Sequence, residues 1–210
     1  MVSTILRLQV FKTTHLAYSN VNFGFGALNH REQINKIIKT GAKLITVSEL
    51  DSKITFADYR PFHPSDEAIF VHRSIDIIDH GHFSGSENKF GQKIGDRQFV
   101  WVKCKLPNIG ICKVITGHMP HPRMGEEIYN AYATNLRHFL SRSRVPVLVS
   151  MDANKRVEED PCHLHRDYNM KWRGNRIDLW AVPNKVEVIN WWEDQDPTRN
   201  DRHPVVHLVV

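Results

Sequence analysis

"VPVLVSMDANK", residues 145–155, carries an apolar run into Asp152 and places Asn154 two positions later. A short aliphatic run of this kind reads as a buried strand. Asp and Asn directly after it are turn and cap residues, so by itself the segment is a strand with a turn behind it. Whether that strand end also holds chemistry depends on what the rest of the chain places beside it.

Immediately upstream, "GEEIYNAYATNLRHFLSRS" (125–143) spaces Ile128, Tyr132, Leu136 and Leu140 by four, with acids in its first turn and arginines in its last, and is expected to be a helix. Before it come four expected strands: "AIFVHR" (68–73), "SIDIID" (74–79), "RQFVWVKCKL" (97–106) and "ICKVITGH" (111–118), the last two joined by the turn-like "PNIG". The polar, glycine-rich "HGHFSGSENKFGQKIGD" (80–96) reads as a loop. At the N-terminal end, "STILRLQVF" (3–11) alternates as a half-buried strand does. "NHREQINKIIKTG" (29–41) then puts Ile34, Ile37 and Ile38 on one helical face, with Gly41 placed to cap it. "KLITVSEL" (43–50) is a buried strand running into Glu49. Downstream, "RIDLWAV" (176–182), "KVEVINWW" (185–192) and "HPVVHLVV" (203–210) give three more strands. Nine or so strands and two helices define an α+β chain, best accommodated by two packed sheets with helices outside. Strand order stays open.

The 210 residues suit a single domain, 1–210, with no linker-like tract or repeat inside it. Composition is that of a globular protein, 41% hydrophobic and 24% charged. Lys plus Arg exceed Asp plus Glu by 28 to 23, a formal charge of +5 that favours polyanionic partners. Three cysteines are too few for a disulfide framework, which points to a reducing, intracellular and cytoplasmic setting. "MVSTILRLQVFK" carries Arg7 within its apolar stretch and lacks a small-residue cleavage pattern, so it does not read as a signal peptide. No run reaches the roughly 20 apolar residues of a membrane helix, and no membrane partner is expected. Oligomeric state is not legible.

A pattern recurs along this layout: strands end in residues able to bind a metal or a phosphate. Glu49 ends one strand, His118 another, and Asp152 with Asn154 a third; Asp178 opens a later strand, and Asp201 and His203 precede the last. Each alone is an ordinary turn or surface residue. Their order, "SEL", "DRQFVWV", "TGHMP", "SMDAN", "RIDL" and "NDRHPVV", resembles the endonuclease/exonuclease/phosphatase superfamily, the deoxyribonuclease I-like proteins, along nearly the whole chain. The resemblance implies a four-layer α/β/β/α sandwich of two mainly antiparallel mixed sheets, and a phosphodiesterase dependent on Mg²⁺ or Mn²⁺. Hard cations of that kind prefer carboxylate and amide oxygens.

Site roles follow from the same resemblance. Glu49, Asp152 and Asp201 would hold metal. Asp152 would also stand by the attacking water, with Asn154 orienting it; His203 would act as base, and His118 and Arg97 would contact phosphate oxygens. Asp178 would support the site by orienting a histidine. Two positions depart from the family pattern. Where family members end the first strand in an Asn that helps hold the metal, "LRLQVFK" offers Lys12, which could contact phosphate instead. In "NDRHPVV", Arg202 separates Asp201 from His203, so either His203 or Arg202 takes the histidine position.

A nuclease acting on DNA or RNA, DNA first, is the expected activity, because phosphate contacts supply most non-specific nucleic-acid affinity. The loop at 80–96 and the arginines of "KWRGNR" (171–176) would serve that substrate; Trp172, Trp191 and Trp192 could stack bases, with core packing the expected use of at least two of them. The alternatives are a phosphomonoesterase or lipid phosphodiesterase of the same superfamily, and a relative that binds nucleic acid or protein without cutting. Neither a G-x-S-x-G elbow nor a P-loop is present. "CHLH" at Cys162, His163 and His165 lacks the paired spacing of a structural zinc site.

Overall fold

A computed structural model describes residues 13–21, 26–50, 53–63, 65–85, 97–174, 176–194 and 203–210. The chain begins with strand β1 (His15–Asn20), helix α1 (Gly26–Lys39) and β2 (Leu44–Ser48), followed by β3 (Tyr59–Phe62), β4 (Ala68–His72), β5 (Asp76–Ser84), β6 (Gln98–Leu106) and β7 (Gly110–His118). Helix α2 (Glu126–Ser141) leads into β8 (Val147–Asp152). The short helix α3 (Leu164–Tyr168), β9 (Met170–Arg173), β10 (Asp178–Pro183), β11 (Asn190–Asp194) and β12 (Val205–Val209) complete it.

The described strands form two six-stranded sheets, ordered β11-β12-β1-β2-β4-β3 and β5-β6-β7-β8-β10-β9. Each is antiparallel except for one parallel pair at its centre, β1–β2 and β7–β8. Parallel neighbours need a crossover, and α1 and α2 supply the two crossovers. The inner faces share one core in which Leu16, Tyr18, Leu44 and Leu208 meet Val102, Val114, Leu148 and Trp180. The outer face of the first sheet packs on α1 through Ile34 and Ile37, and that of the second on α2 through Tyr132, Leu136 and Leu140. The result is the four-layer α/β/β/α sandwich.

Polar groups stitch the sheets together along the line that leads to the ends of the central strands. Ser150 Oγ donates to Thr46 Oγ1 at 2.8 Å, Ser48 Oγ to the Gly117 carbonyl at 3.2 Å, and Trp180 Nε1 to the Val206 carbonyl at 3.1 Å. Hydrogen bonds buried between sheets penalise any sliding that leaves them unmade. They therefore fix the two sets of strand ends relative to each other.

Several expectations need correction. The strand expected at 3–11, like Lys12, lies outside the described residues, whereas β1 occupies 15–20, a segment read as no element. β5 continues through His80–Ser84, which had the composition of a loop; as the outermost strand of its sheet, with alternating exposure, it tolerates polar residues. The strand expected at 185–192 falls at Asn190–Asp194, where it pairs with β12. β3, β9 and α3 were not anticipated. Gly41 does close α1, at φ +85°, its N–H bonding to the Ile38 carbonyl. The three cysteines are buried and free. No helix among the described residues is long and apolar enough to cross a membrane.

Gly117 is required by close approach rather than by its φ. A Cβ at Gly117 would lie 2.3 Å from the Phe99 ring, which is itself buried. Gly117→Ala should therefore cost about 1–3 kcal/mol by overpacking and lower Tm by about 3–10 °C. Calorimetry checks this; an unchanged Tm would show that Phe99 is loosely held.

Candidate active site

The parallel pairs aim four strand ends at one place. β1 ends at Asn20, β2 runs into Glu49, β7 ends at His118 and β8 at Asp152. In the register, Asp152 lies opposite His118 on one side and Asp178 on the other. Across the sandwich, Asn20 Nδ2 donates to Asp152 Oδ2 at 2.9 Å, joining the ends of β1 and β8. Residues far apart in sequence thus converge at the carboxyl ends of the parallel strands, where such sheets characteristically place their crevice.

Asp152 is the hub. It is 2% exposed, with Oδ1 accepting from the Asn154 backbone N–H at 2.9 Å. Burial, and the Asp178 carboxylate beside it, push its carboxyl up from the usual 3.8 to about 7, against the opposing pull of His203 and the two hydrogen bonds. Asp178, 1% exposed, binds His203 Nδ1 through Oδ2 at 2.8 Å. His203 Nδ1 also stands 3.8 Å from Asp152 Oδ2. Of the two candidates in "NDRHP", His203 is therefore at the cluster; Asp201 and Arg202 lie outside the described residues.

His118, 5% exposed, stands between the two strand-end carboxylates. Its Nε2 is 3.5 Å from Asp152 Oδ2, and its Nδ1 is 3.3 Å from Glu49 Oε1, off the line of a hydrogen bond. Asn154 Nδ2 donates to the Met119 carbonyl at 2.8 Å and lies 3.0 Å from His118 Nε2. Burial first, then the charges of Arg97 and His203, hold His118 well below the usual imidazole range. Those surroundings favour the neutral form of its ring. Arg97 approaches Glu49 Oε1 at 3.9 Å and donates to the Met119 carbonyl at 3.3 Å. Glu49 and Asn154 sit at φ 60° and 48°, left-handed backbone that a Glu rarely adopts and that concentrates at functional sites.

Two residues went unremarked in the sequence. Asn20 stands at the end of the strand before α1, the position for which Lys12 was considered. The signal was there in "HLAYSN", a strand ending in Asn, but the more apolar 3–11 drew the reading. Glu67, fully buried, accepts from Ser65 Oγ at 2.7 Å and from the Gln98 N–H at 3.3 Å, next to Arg97. Burial, with Asp66 nearby, raises its carboxyl well above the usual range.

For a metal, the described residues bring together Asp152, Asp178 and His203, whose ligand atoms lie within 4.8 Å of one another. Glu49 is not in that group; it reaches the cluster through His118. Asp152, buried where its surroundings favour protonation, is short of positive charge, and two Asp carboxylates with a His suit a divalent ion, so the donor set fits one. Cys162, His163 and His165 form no such group. Cys162 Sγ packs at 3.8 Å from both Tyr129 Oη and Met119 Sδ, and His165 Nδ1 lies 2.9 Å from the Met170 carbonyl. The three tryptophans are used in packing, as expected for at least two of them: Trp191 on the inter-sheet core, Trp192 on His207, and Trp172 on the α2 side, with Nε1 donating to Asp160.

The fold and this cluster together define the class: the chain has the endonuclease/exonuclease/phosphatase, or deoxyribonuclease I-like, fold. Among solved structures it is similar to an endonuclease/exonuclease/phosphatase family protein from Bacteroides thetaiotaomicron, with TM-score 0.72 and 17% identity over 94% of this chain and 97% of that one. It is also similar to a mannosyl-6-phosphatase of the same bacterium, with TM-score 0.69 and 16% identity over 94% and 99%. The human Nocturnin catalytic domain aligns with TM-score 0.71 and 11% identity over 94% of each chain. No family model and no curated protein matches the chain by sequence.

Proposed function

We propose that this chain, as one catalytic domain, is a divalent-metal-dependent phosphoester hydrolase that cuts phosphodiester bonds of nucleic acid, DNA first. The observation that supports this most is the convergence of Asn20, Glu49, His118, Asp152, Asn154, Asp178 and His203 on one end of the sandwich, with Arg97 beside them. Asp152 and Glu49, with Asp178 close behind, would hold Mg²⁺ or Mn²⁺, which when bound neutralises phosphoryl charge and stabilises the leaving oxygen.

The chain's own groups do the rest. Asp178 fixes the ring of His203 through Nδ1, so proton exchange with the attacking water or the leaving group falls to Nε2. Ionised Asp152 orients that water together with the Asn154 amide. Arg97 supplies the permanent cation for a phosphate oxygen. His118, within 3.5 Å of Glu49, Asp152 and Asn154, would contact a phosphate oxygen beside Arg97.

The named neighbours include a mannosyl-6-phosphatase, which favours a sugar phosphomonoester as the second reading. Purified protein incubated with plasmid DNA, single-stranded DNA, RNA, a hexose 6-phosphate and a lipid phosphodiester, with Mg²⁺ or Mn²⁺ and with chelator, separates the readings. The expected result is metal-dependent DNA cleavage abolished by chelator. Turnover of the monoester or lipid alone would reassign the substrate, and binding of DNA without any turnover would overturn the enzyme reading.

A further inference from the structure

The outer face of the second sheet carries a cavity that the catalytic reading does not use. About 400 Å³ in volume, it lies between β5, β6 and β7 and the C-terminal half of α2, lined by aromatic Phe83, Trp101 and Phe139, by cationic Lys113 and Arg142, and by His82 among others. No carboxylate is among its lining residues. The size is that of a small-molecule site.

Its two kinds of lining residue have complementary uses. Phe83 stacks on Phe139 with centroids 5.0 Å apart and planes 22° apart, and Trp101 meets Phe139 at 5.8 Å, so the three rings form one apolar surface. Lys113 Nζ is held over that surface, 4.8 Å from the Trp101 centroid and 4.6 Å from that of Phe139. Neither Lys113 nor Arg142 makes an ion pair among the described residues, although Lys113 is mostly covered. Mostly covered Lys113, with exposed Arg142 on the same cavity, favours an anion, and an aromatic surface favours a planar ring. A nucleoside phosphate uses both.

We propose that this cavity binds a nucleoside phosphate, free or as one unit of a single strand, with its base along Phe83, Trp101 and Phe139 and its phosphate between Lys113 and Arg142. It is a second site. Lys113 precedes His118 by five residues on β7, about 17 Å of strand, and points to the opposite face of the sheet.

The test is calorimetric titration in chelator, which keeps divalent metal away from the strand-end cluster and reads binding without turnover, so the outcome is independent of whether the chain hydrolyses anything. AMP, adenosine, ribose 5-phosphate and a short single-stranded DNA are titrated into the wild-type protein and into Lys113→Gln/Arg142→Gln. Saturable binding of AMP is expected, weakened about tenfold or more in the double variant, with adenosine and ribose 5-phosphate each binding less tightly than AMP. Tighter binding of the DNA, lost in the same variant, would identify a strand as the natural source; binding of AMP at least as tight would identify the free nucleotide. Arg142→Glu, at an exposed position, repeats the test with minimal risk to folding. Absence of AMP binding, equal binding by the variants, or loss of binding in His203→Ala instead would each overturn the proposal.

Discussion

Asp152→Asn is expected to make the metal-free protein more stable above neutral pH while removing its activity. The carboxyl of Asp152 is raised to about 7 in the folded chain, from an ordinary value of 3.8. A group whose proton affinity is higher in the folded state makes folding less favourable as pH climbs from the unfolded value to the folded one. Stability should therefore fall between about pH 4 and 7 and stay lower above. A shift of about three units corresponds to about 4 kcal/mol. Asparagine carries no charge and removes this cost, but its single carbonyl oxygen cannot accept from both Asn20 and the Asn154 N–H, which returns about 1 kcal/mol. The net gain, about 2–3 kcal/mol, corresponds to a Tm about 5–10 °C higher at pH 8 in chelator and little change at pH 5. Hydrolysis should drop about a thousandfold or more. Divalent metal should raise the Tm of the wild type at pH 8 but not that of the variant. A variant equally destabilised at both pH values would mean that Asp152 is an ordinary ionised carboxylate supporting the fold.

The second large effect concerns the pair Asp178 and His203. Removing the imidazole in His203→Ala should lower kcat about 10²–10⁴-fold with little change in KM, as expected for a group that moves a proton in the transition state. Asp178→Asn keeps the shape but replaces the acceptor of the Nδ1 bond with an amide that can present its N–H instead. It should cost a comparable factor through loss of orientation. Because the two residues act as one unit, the double variant should be little worse than His203→Ala alone. Steady-state kinetics on the four proteins decides it: multiplicative losses would show independent roles, and a His203→Ala enzyme near wild-type rate would remove His203 from the chemistry.

What could be read from the sequence follows from how each segment is buried. β2, β6, β7 and β8 are aliphatic central strands, and α1 and α2 have clear apolar faces, so periodicity located them. β1 escaped because "HLAYSN" is polar for a strand buried on both faces; His15 and Asn20 are there for contacts, to His207 and Asp152. β3 and β9 are four-residue edge strands, β3 containing Pro61, which only an edge tolerates. At the site, Glu49, His118, Asp152, Asn154 and Asp178 were recognisable because each adjoins a strand of readable pattern. Asn20 was hidden with β1. Glu67 was hidden because its burial depends on β6 folding over it, through the bond from the Gln98 N–H. That His203 reaches Asp178 is a matter of three-dimensional register.

The most direct test of the metal-dependent site is a crystal structure of the wild-type protein with Mn²⁺, read by anomalous scattering. A peak is expected at about 2.0–2.3 Å from a carboxylate oxygen of Asp152, flanked by Glu49 or Asp178 and absent in Asp152→Asn. Mn²⁺ bound only away from the strand-end cluster, or a peak that persists unchanged in the Asn variant, would contradict the account.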